Sequence, residues 1–142
     1  MLDVPEAPNQ KQQPSYPWPQ TQGLTLAEAR NELAFLVTGM YGHELPKQNG
    51  APLRLAVPWK YGFKSLKSIV RIEFTAEQPR TFWNDVNPGE YHFLANVNPS
   101  ERHQGKSQTT EKDIGTGVVW PTQLYNGYGA YVAHLYAKPS GS

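Results

Sequence analysis

Apolar residues along this chain fall in short runs, each cut off by glycine, proline or a charge, a pattern that predicts short elements joined by long connections. In LTLAEARNELAFL, from Leu24, Thr25 and Glu28 stand at capping-box spacing ahead of good helix formers. The spacing predicts a short helix that begins near Leu26 and ends near Asn31–Glu32. Leu33–Thr38 stops at Gly39 and Leu53–Val57 alternates into Pro58, lengths that suit strands. Ser68–Phe74, SIVRIEF, is the clearest strand by pattern, with Ile69, Arg71 and Glu73 alternating with Val70, Ile72 and Phe74. The Val70/Ile72/Phe74 face is therefore expected to be buried. A helical turn is expected near Thr81–Val86 and a short strand at Tyr91–Val97. A terminal helix over Tyr128–Tyr136 is expected to pack through Val132, Leu135 and Tyr136 before Lys138–Pro139 and a Ser-Gly tail. The fold class is a mixed α+β domain with more strand than helix.

Residues 1–22 carry Pro5, Pro8, Pro14, Pro17 and Pro19 among Gln and Asn, which reads as a weakly packed lead-in; residues 23–142 form the body. No window approaches the roughly 20 apolar residues of a membrane span, and the first residues lack a basic region followed by an apolar one. As written, the chain reads as soluble and untargeted. Its 13 Lys+Arg against 12 Asp+Glu give a net charge of +1, which argues against a protein that coats a polyanion. No nucleic-acid partner is expected. There is no cysteine, so disulfides, thiolate metal sites and thiol catalysis are excluded.

The charge is concentrated even though the total is small. Lys47, Arg54, Lys60, Lys64, Lys67 and Arg71 all lie between Glu44 and Glu73, interleaved with glycines and with Trp59, Tyr61 and Phe63. Such a stretch reads as an anion-binding wall. Asn49–Gly50 lets the main chain approach a ligand, Arg54 can grip phosphate or carboxylate with two donors, and Tyr61–Lys67 adds amides, a hydroxyl and two ammonium groups. The plainer reading is that Asn49–Gly50 is a hairpin turn, Arg54 a solvated edge cation and Tyr61–Lys67 a basic surface loop. Trp59, Tyr61 and Phe63 would share one strand face, at least partly buried. His43, His92, His103 and His134 have no metal-ligand spacing, and Gly115–Gly117 and Gly127–Gly129 are too short for a dinucleotide fingerprint and read as turns.

Around this block, ELPKQNGAPLRLAVPWKYGFKSLKSIVRIEF, then TFWNDVNPGEYHFLANVNP, SQTTEKDIGTG and QLYNGYGAYVAHLY resemble successive segments of the sulfite oxidase-fold molybdopterin oxidoreductases. Within that family the likeness, over about residues 15–137, is to the C-terminal half of the periplasmic reductases of protein methionine sulfoxide. The resemblance implies a partial sulfite oxidase fold, a Mo-molybdopterin cofactor, oxidised periplasmic proteins as substrate, and a haem-bearing membrane subunit as electron donor. It implies cofactor contacts from Asn49, Arg54, Ser65, Leu66 and Lys67, with Lys67 as the phosphate partner. The family's metal-ligating cysteine and export signal lie in an N-terminal half that this sequence lacks. No catalytic residue and no metal ligand is therefore assigned here, and the chain alone is expected to be inactive. His103-Gln104-Gly105-Lys106-Ser107 stands where the family usually has His-Pro-Arg-Trp-Ser. The competing reading is a non-catalytic module that uses the same cations for a nucleotide, a free pterin or an acidic partner.

Overall fold

The computed structural model describes Gln10 and residues 12–137; the start of the lead-in and the tail beyond Ala137 lie outside the described residues. Thr25 closes the capping box that its spacing predicts: its hydroxyl accepts from the Glu28 amide at 3.2 Å, and Glu28 Oε2 accepts from the Thr25 amide at 2.9 Å. Helix α1, Leu26–Ala29, ends at Arg30, slightly earlier than expected. Strand β1 (Phe35–Val37) pairs antiparallel with β4 (Arg54–Ala56), Leu36 opposite Leu55, where two of the expected strands lie. Between them β2 (Gly39–Met40) and β3 (His43–Glu44) form a tight hairpin. Further along come α2 (Phe82–Val86), the hairpin β5 (Thr110–Lys112) and β6 (Val119–Pro121), and α3 (Gly129–Val132). The terminal helix breaks after α3 into a 3-10 turn, Ala133–Leu135. Tyr91–Val97 forms no strand, contributing only a single bridge from Asn96 to Lys60. The result is a mixed α+β fold assembled from two-stranded pairs.

Val57, Trp59 and Val132 are fully buried, and Leu24, Leu33, Leu55, Leu135 and Tyr136 pack around them. Burial of these side chains, at about 25 cal/mol per Å² of apolar surface, is what ties the end of β4 to α3 and to the residues on either side of α1. A second cluster holds the lead-in down. Tyr16 stacks on Phe82 at 5.8 Å and Trp18 lies 4.8 Å from the same ring, so this segment is packed by its aromatics in spite of its prolines.

The segment Ser68–Phe74 departs most from its expected role. It forms no strand, and Val70, Ile72 and Phe74 are exposed. Alternation defines two faces, but burial also needs a neighbour to cover one of them, and no described element does so.

Lys60 and Lys64 also depart from the sequence reading, for they are core residues and not part of a basic wall. Lys60 Nζ donates to Glu28 Oε1 at 2.5 Å, to the Leu94 carbonyl at 2.6 Å and to Asn96 Oδ1 at 2.9 Å. Tyr136 donates its hydroxyl to the same Glu28 oxygen at 2.7 Å and accepts from Trp59 Nε1 at 2.7 Å. Burial pulls Lys60 below the ordinary lysine range and Glu28 restores part of the loss. Lys64 donates to the Gly23 carbonyl at 2.7 Å and sits over the Phe93 ring, with no carboxylate bonded to it among the described residues. Burial, with the Lys60 charge nearby, lowers its pKa from 10.5 to about 8.

A depressed lysine opposes folding while the group must stay charged. Between pH 8 and 10 the folded state gives up this proton and the unfolded state keeps it, so stability should rise with pH across that window. The full difference in pKa corresponds to about 3 kcal/mol. Above pH 10 the raised Tyr136, pushed up by burial and by its bond to Glu28, acts in the opposite direction. Urea unfolding midpoints taken from pH 7 to 10 should climb for the unaltered chain and climb less for Lys64→Met, in which the buried Lys60 is left to contribute. An equal climb in both would show that Lys64 does not set the slope.

Candidate functional site

Pro46 leads into a 3-10 turn, Lys47–Asn49, which ends on Gly50 in a left-handed conformation, φ 110°. The turn is closed by the Gly50 amide on the Lys47 carbonyl and the Ala51 amide on the Pro46 carbonyl. Asn49–Gly50 is thus a helical-turn terminus and not a two-residue hairpin. Glycine is required at position 50 for a second reason. A Cβ there would lie 2.9 Å from Cβ and Cγ of Lys67 and 3.2 Å from Cβ of Arg54. The stems of both cations lean on this one backbone position.

Their heads reach the same turn. Arg54 Nη1 donates to the Asn49 carbonyl at 3.0 Å and Lys67 Nζ to the Gln48 carbonyl at 2.9 Å. The Asn49 amide donates to Met40 Sδ at 3.1 Å, which fixes its side chain against the β2–β3 hairpin. Ser65 and Leu66 lie along β4: Ser65 Oγ accepts from the Val57 amide at 3.4 Å and the Leu66 carbonyl from the Leu55 amide at 2.9 Å. Asn49, Arg54 and Lys67 are therefore gathered at Gly50, while Ser65 and Leu66 hold the approach to Lys67 in place.

The charge at this corner is uncompensated. Among the described residues the ion pairs join Lys60 to Glu28, Arg71 to Glu73 and Arg80 to Asp85, and neither Arg54 nor Lys67 takes part in one. The broad wall expected from the sequence thus contracts to Arg54 and Lys67, with Lys47 on the adjoining turn. An anion would add charge–charge attraction and, for Arg54, two parallel donor contacts to what the neutral carbonyls accept now, so the arrangement is suited to exchanging carbonyls for a phosphate or carboxylate.

Trp59 does not share a face with Tyr61 and Phe63, because the chain leaves strand geometry and turns into a 3-10 segment at Gly62–Lys64. Trp59 enters the core. Tyr61 stacks on His103 at 4.6 Å and Phe63 is 4.9 Å edge-on to Tyr91. They border a cavity of about 320 Å³ lined also by His92, Asn96 and Arg102, which does not include Arg54 or Lys67. His103 and Lys106 bridge a tight turn there, at the place where the sequence departs from the pattern of the family it resembles. The spacing of aromatics gave no signal for this cavity, because its walls come from three separate stretches of chain.

Gly50→Ala tests how closely the corner is built. Left-handed backbone at a residue with a Cβ, together with the contacts to Lys67 and Arg54, should cost about 1–3 kcal/mol. A urea midpoint unchanged by the substitution would show that the two cations are not held by this contact.

Residues 6–83, just over half of the chain and including this corner, match the oxidoreductase molybdopterin-binding domain. The chain belongs to that family. Two curated relatives carry the name protein-methionine-sulfoxide reductase catalytic subunit MsrP. The one from Pseudomonas syringae pv. tomato is 54% identical over 124 residues, which is 84% of this chain and 37% of the relative. The one from Campylobacter jejuni is 49% identical over 137 residues, 96% of this chain and 46% of the relative. The chain thus spans less than half the length of either relative.

Proposed function

We propose that this chain is the cofactor-gripping part of a molybdopterin-dependent reductase that acts on methionine sulfoxide in periplasmic proteins. The observation that carries the reading is the meeting of Arg54 and Lys67 at Gly50, inside a molybdopterin-binding family match and with no carboxylate bound to either among the described residues. The donor set fits the group. Arg54 offers paired guanidinium donors to the pterin phosphate, Lys67 a mobile point charge, and Asn49 and Ser65 an amide and a hydroxyl for polar edges of the pterin. Leu66, bonded to β4 through its main chain, keeps Ser65 and Lys67 in register with Arg54.

When bound, Mo-molybdopterin supplies the two-electron chemistry that removes the sulfoxide oxygen as water, with electrons from a haem-bearing membrane partner. This chain has no cysteine, so the thiolate that the family resemblance implies for the metal comes from the remainder of the full-length protein. Purified residues 1–142 should show no methionine sulfoxide turnover with an artificial electron donor. Co-expression with the portion of the Pseudomonas syringae relative outside its matched stretch should give a complex that retains molybdenum and turns over. Activity of the chain alone, or a complex without molybdenum, overturns the reading.

A further inference from the structure

Met40 is the only methionine among the described residues, and its sulfur accepts a hydrogen bond from the Asn49 side-chain amide at 3.1 Å. The hairpin that carries it has little freedom. Met40 ends β2 opposite His43, and the two turn residues between them, Tyr41 and Gly42, are both left-handed, φ 52° and 78°. That is the geometry of a tight two-residue hairpin turn. A Cβ on Gly39 would lie 2.6 Å from the His43 carbonyl, and the Leu45 amide donates to the Thr38 carbonyl at 3.0 Å, so the two strands are closed below the turn. Asn49 is held as firmly by its main chain. Its amide donates to the Pro46 carbonyl at 2.9 Å, and its carbonyl accepts from Arg54 at 3.0 Å. Only the Asn49 side chain is left to turn, and the Met40 thioether sets where it points.

A thioether is a weak acceptor, and it is also the group that peroxides convert to a sulfoxide. Met40 is half-buried beside Tyr41, which is 90% exposed, so a small oxidant can reach the sulfur. When the sulfur attacks hydrogen peroxide, an S–O bond forms, the O–O bond breaks and water leaves, with two electrons passing from sulfur to peroxide. In the product the oxygen is the strong acceptor and the sulfur is electron-poor. An N–H···O bond settles at about 2.7–3.2 Å from that oxygen. With the main chain fixed on both sides, the Asn49 amide must leave the sulfur and follow the oxygen. We propose that Met40 is an oxidation site whose sulfoxide redirects the Asn49 side chain, and that this loosens the hold of the Gly50 corner on its anion. The loosening rests on the cofactor reading of that corner, whereas the redirection of Asn49 does not. Return to the thioether takes two electrons and two protons and releases water, which is the chemistry of methionine sulfoxide reduction, so the modification is reversible.

The test begins with residues 1–142 treated with hydrogen peroxide. Peptide mass spectrometry should find one added oxygen on Met40, and the side-chain amide signals of Asn49 should move in a nitrogen–proton correlation spectrum. Met40→Leu nearly conserves volume, so it should keep its fold by urea midpoint, and its Asn49 signals should not respond to peroxide. In the complex with the portion of the Pseudomonas syringae relative outside its matched stretch, peroxide should lower molybdenum retention about tenfold, the worth of one polar contact, and lower it less in Met40→Leu. Met40→Gln sets an oxygen acceptor near the place of the sulfoxide oxygen, so it should lower retention without any oxidant. Met40 left unoxidised while Met1 is consumed, Asn49 signals that stay in place when Met40 is oxidised, or equal losses of molybdenum in the unaltered and Met40→Leu complexes would each overturn the proposal. An untreated complex without molybdenum sinks the cofactor reading instead, and the Asn49 signals of the chain alone still decide the Met40 site.

Discussion

Replacing Glu28 with alanine is expected to cost about 3–5 kcal/mol, the range for breaking a buried ion pair from one side. Against a total stability of about 5–15 kcal/mol, the variant should be partly or wholly unfolded where the unaltered chain is folded. The size follows from how much converges on one side chain that is 1% exposed. Glu28 Oε1 takes Lys60 Nζ and the Tyr136 hydroxyl, and Oε2 takes the Thr25 amide. Alanine would leave a buried ammonium with only the Leu94 carbonyl and Asn96, remove Tyr136's acceptor and take away the half of the α1 capping box that the carboxylate supplies. Glu28→Gln keeps the shape and an acceptor while removing the charge, so it should lose less.

The pH dependence of Glu28 has a definite sign. Burial by itself would raise the Glu28 carboxyl, but hydrogen bonds from Lys60 and Tyr136, with the Lys60 charge and the Thr25 amide, outweigh it and hold the group below 4.5. The stabilisation is therefore full above pH 4.5 and is lost as pH falls through the lower folded value. Urea midpoints for unaltered, Ala and Gln chains at neutral pH, and for unaltered and Gln chains into acid, check both statements. A loss under 1 kcal/mol in Glu28→Ala would mean that the network is dispensable.

Glu28 also marks how far the sequence could be read. Its local role was legible, because a capping box needs only Thr25 and Glu28 three residues apart. Its partners were not, since Lys60 is 32 residues away and Tyr136 108. A lysine in a sequence is by default a surface residue, and only the fold shows that Lys60 and Lys64 point inward from the stretch that buries Trp59. The strands of the β1–β4 pair were legible because each had the other to pair with. Ser68–Phe74 carried a stronger alternation than either and stayed unpaired, because period fixes the faces of a strand but not the presence of its neighbour. Charge density pointed to the stretch that holds Arg54 and Lys67, and the family likeness singled out those two from six cations. The convergence on Gly50 depends on a left-handed turn that periodicity does not encode.

In the assembled protein, Arg54→Ala and Lys67→Ala should each lower cofactor retention by roughly 10- to 100-fold, the worth of one charge-assisted bond of about 1.5–3 kcal/mol. The two substitutions together should lose more than either, though less than the product if both heads share one phosphate. Stability should move little with Lys67→Ala, because the Lys67 side chain is exposed and its one bond, to the Gln48 carbonyl, can pass to water. Arg54→Lys separates charge from shape: a point charge at this position keeps attraction but loses the fork, so retention should fall between Arg and Ala. Molybdenum content per protein, read beside the urea midpoint, distinguishes a lost grip from a lost fold. Full molybdenum in both alanine variants would make the corner a structural clasp between the turn and β4. Metal lost with the midpoint unchanged assigns Arg54 and Lys67 to the anion, and the carbonyls of Gln48 and Asn49 then serve to park the two cations in its absence.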